Sequence, residues 1–286
     1  MTPGILTLSQ TRKRLNELGH RPNKRLGQNF LIEGNVIRRS LELAEVKAGD
    51  RVVEVGPGLG TLTAALLQAE ATVYAVEYDT CLAEYLRASL LPAFPKSFHL
   101  LEGDALEHPL AELPSTSPLL TKGFKVVANL PYAISTPWLE SVFSHDLPQR
   151  MVLMLQRETA DRFTAQPGTK NYGAISIFLS AAYEKQTVHK ISRRCFYPVP
   201  KVDSALLVLT KRANPFCFQP ATRRLIRTFF TQRRKQIQTL CHRELADRSI
   251  MVDWLEDLSA AGISVKARPE AIPSSCWQQL DQRLRG

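Results

Sequence analysis

The chain has 286 residues, enough to bury a full α/β core and carry a small second domain, and its 44% apolar and 22% charged content is that of an ordinary globular protein. It holds no apolar run of membrane-spanning length and no signal-like apolar segment near its start, which predicts a cytoplasmic protein with no membrane partner. A formal charge of +10 and a pI near 9.5 favour a polyanionic partner over a small neutral substrate, with nucleic acid ahead of an anionic membrane surface.

Residues 1–24 read as a basic N-terminal arm, with Arg12, Lys13, Arg14, Arg21 and Lys24 against the single acid Glu17. The stretch Arg25-Leu26-Gly27-Gln28-Asn29-Phe30-Leu31 differs in character. One glycine, two amides and three large apolar residues after the bases predict a loop that is pinned down. A helical pattern covers 36–46, and 51–63 then reads as a strand, a glycine-rich turn and a helix start.

In that turn Gly56, Gly58 and Gly60 let the backbone approach a ligand, and the helix start leaves N–H groups free for polar or anionic atoms. Their G-x-G-x-G spacing departs from the G-x-G-x-x-G of dinucleotide-binding dehydrogenases. Glu54, just ahead of the turn, suits a ligand with a positive amine better than a pyrophosphate. The pattern resembles motif I of S-adenosylmethionine-dependent methyltransferases.

A second strand over 72–77 ends in Glu77, placed to accept from both hydroxyls of a ribose. A third, over 98–104, ends in Asp104, placed to accept from an adenine amine. Either acid alone reads equally as a solvated loop residue; the ordered series of glycine turn, Glu and Asp at successive strand ends points to a nucleoside-bearing cofactor.

The fourth strand, 125–128, runs into Asn129-Leu130-Pro131-Tyr132. Asn129 offers a carbonyl to an exocyclic amine, Pro131 stiffens the turn, and Tyr132 offers a face on which a flat base stacks. By itself the tetrapeptide reads as well as an ordinary turn after a strand. Further on, 137–143 is predicted helical, 150–156 a strand, 157–163 a helix, 166–173 a polar loop, and a sixth strand falls within 182–191. Residues 195–204 hold Phe196 and Tyr197 between prolines. They form either a stiff loop that presses a base against Tyr132 or a connection with its aromatics in the core. A strand over 205–209 follows.

Past Pro215 the strands stop, and helices are predicted over 220–230, 233–245, 253–261 and 274–284. Between Lys211 and Arg248 the only acids are Glu244 and Asp247, against bases that include Arg223, Arg224, Arg227, Arg233, Arg234 and Lys235. This cap suits docking on a phosphate backbone. The cysteines Cys81, Cys195, Cys217, Cys241 and Cys276 form no C-x-x-C, and the histidines are dispersed, so reduced structural thiols and no metal site are expected.

Taken in order, LGQNFL, EVGPGLGTLT, AVEYD, EGDAL, NLPY, MLQRETADRF, PGTKNYG, FYPVPKVDSA and FTQRRK span nearly the whole chain, which resembles the KsgA/RsmA family of small-subunit ribosomal RNA adenine N6-dimethyltransferases. The resemblance implies a Rossmann-like class I methyltransferase fold with a mostly parallel seven-stranded sheet over 25–212, and a small all-helical RNA-binding domain over 213–286. It implies S-adenosyl-L-methionine as cofactor, with Gln28, Asn29 and Leu31 closing over it, the turn at Gly56 approaching its methionyl part, Glu77 on its ribose and Asp104 on its adenine amine.

The target adenine would then lie on Asn129 through Tyr132 with Phe196 on its other face, and the basic arm and helical domain would grip the RNA of an assembling small subunit. The family modifies two adjacent adenosines in a hairpin loop near the 3′ end of that RNA, and its loss is linked to kasugamycin resistance. Glu33 stands where the family often has Asp, and the segment 273–277 is idiosyncratic. An Erm-like large-subunit RNA adenine methyltransferase, or an assembly factor with the same fold and no turnover, are the alternatives. No apolar stripe asks for a second copy, so a monomer is expected.

Overall fold

The computed structural model describes residues 4–114, 123–245 and 247–285, so the first three residues of the expected arm lie outside the described residues. Packing divides the chain into two compact units, one of residues 1–160 with 186–210 and one of residues 161–185 with 211–286.

Within the expected basic arm, the first unit opens with a helix. In α1 (Leu8–Glu17) the Thr7 hydroxyl accepts from the Gln10 amide, and the Gln10 side chain accepts from Thr7 N at 2.8 Å, a reciprocal cap that satisfies two otherwise orphan donors. The helix buries Leu15 against Phe30, Leu59 and Leu82. Its bases are partly engaged, since the Arg12 and Arg14 guanidinium groups lie over the rings of Tyr197 and Tyr85, 5.0 and 5.3 Å from the centroids. Three of the arm's bases, Arg12, Lys13 and Arg14, are therefore carried on a docked amphipathic helix, and Arg21 and Lys24 follow it.

After β1 (Phe30–Leu31) and α2 (Gly34–Ala44) come β2 (Arg51–Val55), α3 (Thr61–Gln68), β3 (Thr72–Glu77), α4 (Thr80–Ser89), β4 (Phe98–Glu102), β5 (Phe124–Asn129), α5 (Ser135–Val142), β6 (Arg150–Gln156) and α6 (Arg157–Phe163). Then come α7 (Ala174–Ala182), β7 (Tyr183–Ile191), β8 (Phe196–Tyr197) and β9 (Ser204–Lys211). The main sheet has seven strands in the order β4-β3-β2-β5-β6-β9-β7. From β4 to β6 all neighbours are parallel, and β9 runs antiparallel to β6.

Val52, Val53, Val126, Val127, Val152 and Leu153 are all but inaccessible, as expected for strands covered on both faces. The chain winds outward from β2 to β3 and β4, then returns to β5 on the other side, so the order reverses between β2 and β5. In open α/β sheets the crevice beyond the carboxyl ends of the strands at such a reversal is where ligands bind.

The second unit is helical: α7, α8 (Pro220–Thr231), α9 (Ile237–Glu244), α10 (Arg248–Ala260) and α11 (Ser274–Arg285). Its centre is aromatic, with the Trp277 ring 5.8 Å from Phe229 and 5.2 Å from Trp254, and the indole N–H of Trp254 donates to the Cys276 carbonyl at 2.8 Å. The expected boundary at residue 213 left out α7. Its buried Ile175, Ile177, Phe178 and Leu179 pack on α8 and α11, and this is why residues 161–185 group with the C-terminal helices. The expected helix from Arg233 begins instead at Ile237, and 232–235 form a turn.

Candidate active site

A pocket in the first unit lies at the carboxyl ends of β2, β3, β4 and β5. Among its lining residues are Gln28, Asn29, Leu31, Glu54, Gly56, Gly58, Glu77, Asp104 and Asn129 through Tyr132. Strand after strand delivers one polar group to this rim, because each parallel β-strand ends on the same side of the sheet.

The glycine turn is shaped by backbone conformation. Gly56 and Gly58 have φ of +67° and +61°, and a Cβ on Gly56 would lie 3.3 Å from Pro131 Cγ, so the turn after β2 is seated directly against the Asn-Leu-Pro-Tyr turn after β5. Gly60, expected at the ligand, does not line the pocket. It precedes α3 at φ +75°, and a Cβ there would meet Leu86 and Leu90 at 2.7 and 2.9 Å, so its role is close packing of α3 on α4.

The acids differ in what holds them. Glu77 is 6% exposed; its Oε2 accepts from Gly58 N at 2.9 Å and its Oε1 from Asp79 N at 3.0 Å, which fixes the carboxylate plane while burial raises its pKa. Asp104 accepts from Leu106 N through Oδ1 at 2.8 Å, which orients the carboxylate where it lines the pocket. Glu54 is 2% exposed and its Oε2 has no hydrogen-bond partner among the described residues; burial pushes its carboxyl up to about 8, and the Glu77 carboxylate pushes the same way.

Asn129 is oriented from across the pocket. Its Nδ2 donates to the backbone carbonyl of Asn29 at 3.0 Å, and only the amide nitrogen can face a carbonyl, so Oδ1 is left as an acceptor. Asn29 is itself stapled, its Nδ2 donating to Gly27 O at 2.9 Å. Gln28 Nε2 donates to Asp79 Oδ2 at 2.8 Å, and its Oε1 accepts from Asn23 N at 2.7 Å and lies 3.1 Å from His20 Nε2. The loop expected to be pinned is held at each of its amides.

Tyr132 donates or accepts at 2.6 Å with Ser204 Oγ, and burial raises its phenol pKa. Phe196, expected on the opposite face of a target base, is fully buried in the core and pairs with Leu31 between β8 and β1; it does not line the pocket. Its phenyl ring carries no polar group to keep it at the surface, so the hydrophobic term decides its place. Sequence reading missed Tyr78, the residue after Glu77, which lines the pocket with 60% of its surface exposed and offers a face to a flat ring. An aromatic directly after the strand-end acid was the available signal.

The basic residues expected on RNA divide in the same way. Arg224, Arg234 and Lys235 are exposed. Arg223 is buried at 7% exposure, Arg227 lies over the Phe178 ring at 5.7 Å, and Arg233 pairs with Glu270, its Nε at 2.8 Å, while donating to the Lys170 carbonyl at 3.0 Å. Within the second unit these three serve the packing of their own helices and loop.

A buried carboxyl oxygen without a partner at the mouth of a glycine turn fits a ligand that carries its own positive charge. Strand order, glycine turn, strand-end acids and the Asn-Leu-Pro-Tyr turn define a class I S-adenosylmethionine-dependent methyltransferase. The family model "Ribosomal RNA adenine dimethylase" matches residues 19–253. The chain is 55% identical to the ribosomal RNA small subunit methyltransferase A of Opitutus terrae over 97% of this chain and 99% of that one, and 39% identical to its namesake from Protochlamydia amoebophila over 96% of each. The solved 23S rRNA methyltransferase ErmE superposes with a TM-score of 0.64 at 28% identity, covering 90% of this chain and all of that one. A dimethyladenosine transferase from Plasmodium falciparum, 22% identical, shares the fold at a TM-score of 0.71, covering 90% of this chain and 97% of that one. The chain belongs to the ribosomal RNA adenine dimethylase family.

Proposed function

We propose that the protein transfers methyl groups to N6 of two adjacent adenosines in a hairpin loop near the 3′ end of small-subunit ribosomal RNA, within an assembling small subunit in the cytoplasm. The observation that carries this is the Asn129 amide, whose nitrogen is held by Asn29 O so that its oxygen remains for the amine of a base. The choice of the small subunit rests on relatives up to 55% identical over nearly the full chain that carry that name, against 28% for the large-subunit enzyme.

In this reading Glu54 faces the positive methionyl ammonium of the cofactor, Glu77 its ribose and Asp104 its adenine amine, with Gln28, Asn29 and Leu31 against it and Gly56 and Gly58 allowing close approach. Bound there, S-adenosylmethionine supplies an electrophilic methyl on a sulfonium, so the protein's task is position more than acid–base chemistry. An adenine N6 lone pair is delocalised into the ring. Asn129 Oδ1 and the Leu130 carbonyl accept its two hydrogens, which favours a pyramidal amine with the lone pair free, while Tyr132 supports the ring. The proton leaves once nitrogen has gained the methyl, so no strong base is required. A base in a loop leaves its stack more readily than one in a duplex, which matches a hairpin-loop target.

The exposed bases of the second unit, Arg224, Arg234 and Lys235, are proposed to meet RNA phosphates, and the chain to act as a monomer without a metal. Among the described residues no helix is long and apolar enough to cross a membrane. The test is to incubate the protein with S-adenosylmethionine and small subunits lacking the modification, then quantify methylated nucleosides by mass. N6,N6-dimethyladenosine at two adjacent loop positions is expected, and Asn129→Ala should remove nearly all transfer while leaving cofactor affinity within about twofold. Product only on large-subunit RNA, or transfer retained by Asn129→Ala, would overturn the reading.

A further inference from the structure

We infer that Ser204 is a positioning residue that fixes the ring of Tyr132 and thereby determines whether the second methyl is added to the same nitrogen; this rests on the proposed adenine N6 dimethylation. Ser204 is fully buried at the start of β9, where it pairs in register with Gln156 of β6. The residue before it is anchored three ways: Asp203 O accepts from Arg157 N at 3.1 Å, its Oδ1 accepts from Arg193 N at 3.1 Å, and its Oδ2 lies 3.2 Å from Lys190 Nζ. The serine hydroxyl is thus carried on a strand end that has little freedom to move. It meets the Tyr132 hydroxyl at 2.6 Å, across a sequence separation of 72 residues.

That bond changes what Tyr132 can do. A phenol held by a buried hydroxyl and pushed up in pKa by burial is no base for the departing proton. What remains is the ring, half-buried on the turn that lines the pocket, with one end tied to the sheet. A tethered ring keeps its place, because turning about its Cα–Cβ bond would break the contact with Ser204, whereas an untethered one is free to change rotamer.

The two transfers depend on this placement unequally. An unmodified amine offers two N–H groups, which Asn129 Oδ1 and Leu130 O accept. After the first methyl passes from the sulfonium sulfur to nitrogen, leaving a neutral thioether, and the proton passes to water, one N–H remains and one hydrogen bond is lost. The aromatic support then carries a larger share of the orientation. Weakening the tether therefore slows the second transfer more than the first, and the enzyme releases monomethylated product.

The experiment measures the ratio of N6-methyladenosine to N6,N6-dimethyladenosine over time on unmodified small subunits, with cofactor affinity and melting temperature recorded for every variant. Ser204→Ala and Tyr132→Phe each remove one side of the same bond and should raise the mono-to-di ratio roughly fivefold, the factor expected for loss of one neutral hydrogen bond. The double variant should be no worse than either single one, because both delete a single interaction. Ser204→Thr keeps the hydroxyl and should restore the ratio. Wild-type ratios in both single variants, or effects that multiply in the double variant, would overturn the inference. A chain that makes no dimethyladenosine before any substitution would instead overturn the proposed function, so the two failures are distinguishable.

Discussion

Glu54→Gln isolates the electrostatics of the pocket proposed for the cofactor, because Glu54 is buried, one of its oxygens has no partner among the described residues, and burial pushes its carboxyl up to about 8. At pH 7 a group with that pKa is about one-tenth ionised, and at pH 6 about one-hundredth. If the ionised carboxylate is what meets the ammonium of S-adenosylmethionine, affinity should climb close to tenfold per pH unit between pH 6 and 7, then level off near pH 8. Binding at pH 7 should release about 0.9 proton. Above pH 8 the ligand's own α-amino group loses its charge and affinity falls again.

The sign for folding is opposite. An acid whose folded pKa lies above its unfolded value favours the folded state fully below the unfolded pKa, and this contribution is lost as pH rises from about 4.5 toward 8, at about 1.4 kcal/mol per unit. At pH 7 the accumulated loss is about 3 kcal/mol. Glu54→Gln should therefore melt at a higher temperature than the parent at pH 7 to 8, by a margin that shrinks toward pH 5, while its cofactor affinity is weaker at pH 8 and nearly flat with pH. Calorimetric titrations in buffers of different ionisation enthalpy read the proton count directly. No proton release and a flat affinity profile in the unsubstituted protein would refute the assignment of Glu54 to the ammonium.

Gly60→Ala should destabilise the first unit by about 2–3 kcal/mol, the sum of a left-handed backbone and a Cβ driven into Leu86 and Leu90, and thermal melting checks it. Gly56→Ala presses instead on Pro131; its loss of methyl transfer, measured against its melting temperature, should exceed what its stability change explains. Exchanging Arg234 and Lys235 together for Gln should lower the slope of RNA affinity against salt by up to about 2, whereas Arg233→Gln should act mainly through thermal stability because Arg233 is already paired with Glu270; an unchanged slope in the first variant would remove these bases from the RNA interface.

The sheet was legible because its strands are apolar runs ended by turn residues, and β6 and α6 fall on their expected bounds, 150–156 and 157–163. Helix α1 was hidden by attention to its charge, although Thr7 and Gln10 spell a capping box in the sequence itself. Helix α7 was hidden for the opposite reason. Ala-Ile-Ser-Ile-Phe-Leu is apolar on every side, so periodicity does not separate a buried helix from a strand. The order of glycine turn, Glu77, Asp104 and Asn129 was readable because parallel strands must end on one rim. Which bases are already paired was not, since Glu270 stands 37 residues beyond Arg233 and only the fold brings them together. For the same reason Phe196 read equally as a ligand contact and as core.

Asn129 takes its orientation from a main-chain carbonyl. Every amino acid carries that atom, so the instruction that turns the amide is written in no particular side chain at position 29. Relatives can drift there and keep the instruction as long as the loop's path survives, and an alignment column at 29 would underreport its importance. What selection would have to guard is the course of the loop, through Gly27 with its left-handed φ of +67° and through the anchors of Gln28 on Asp79 and Asn23. If Asn129 chooses the target atom as proposed, the informative variation lies beside it, in the glycine and amides that set where a peptide plane stands.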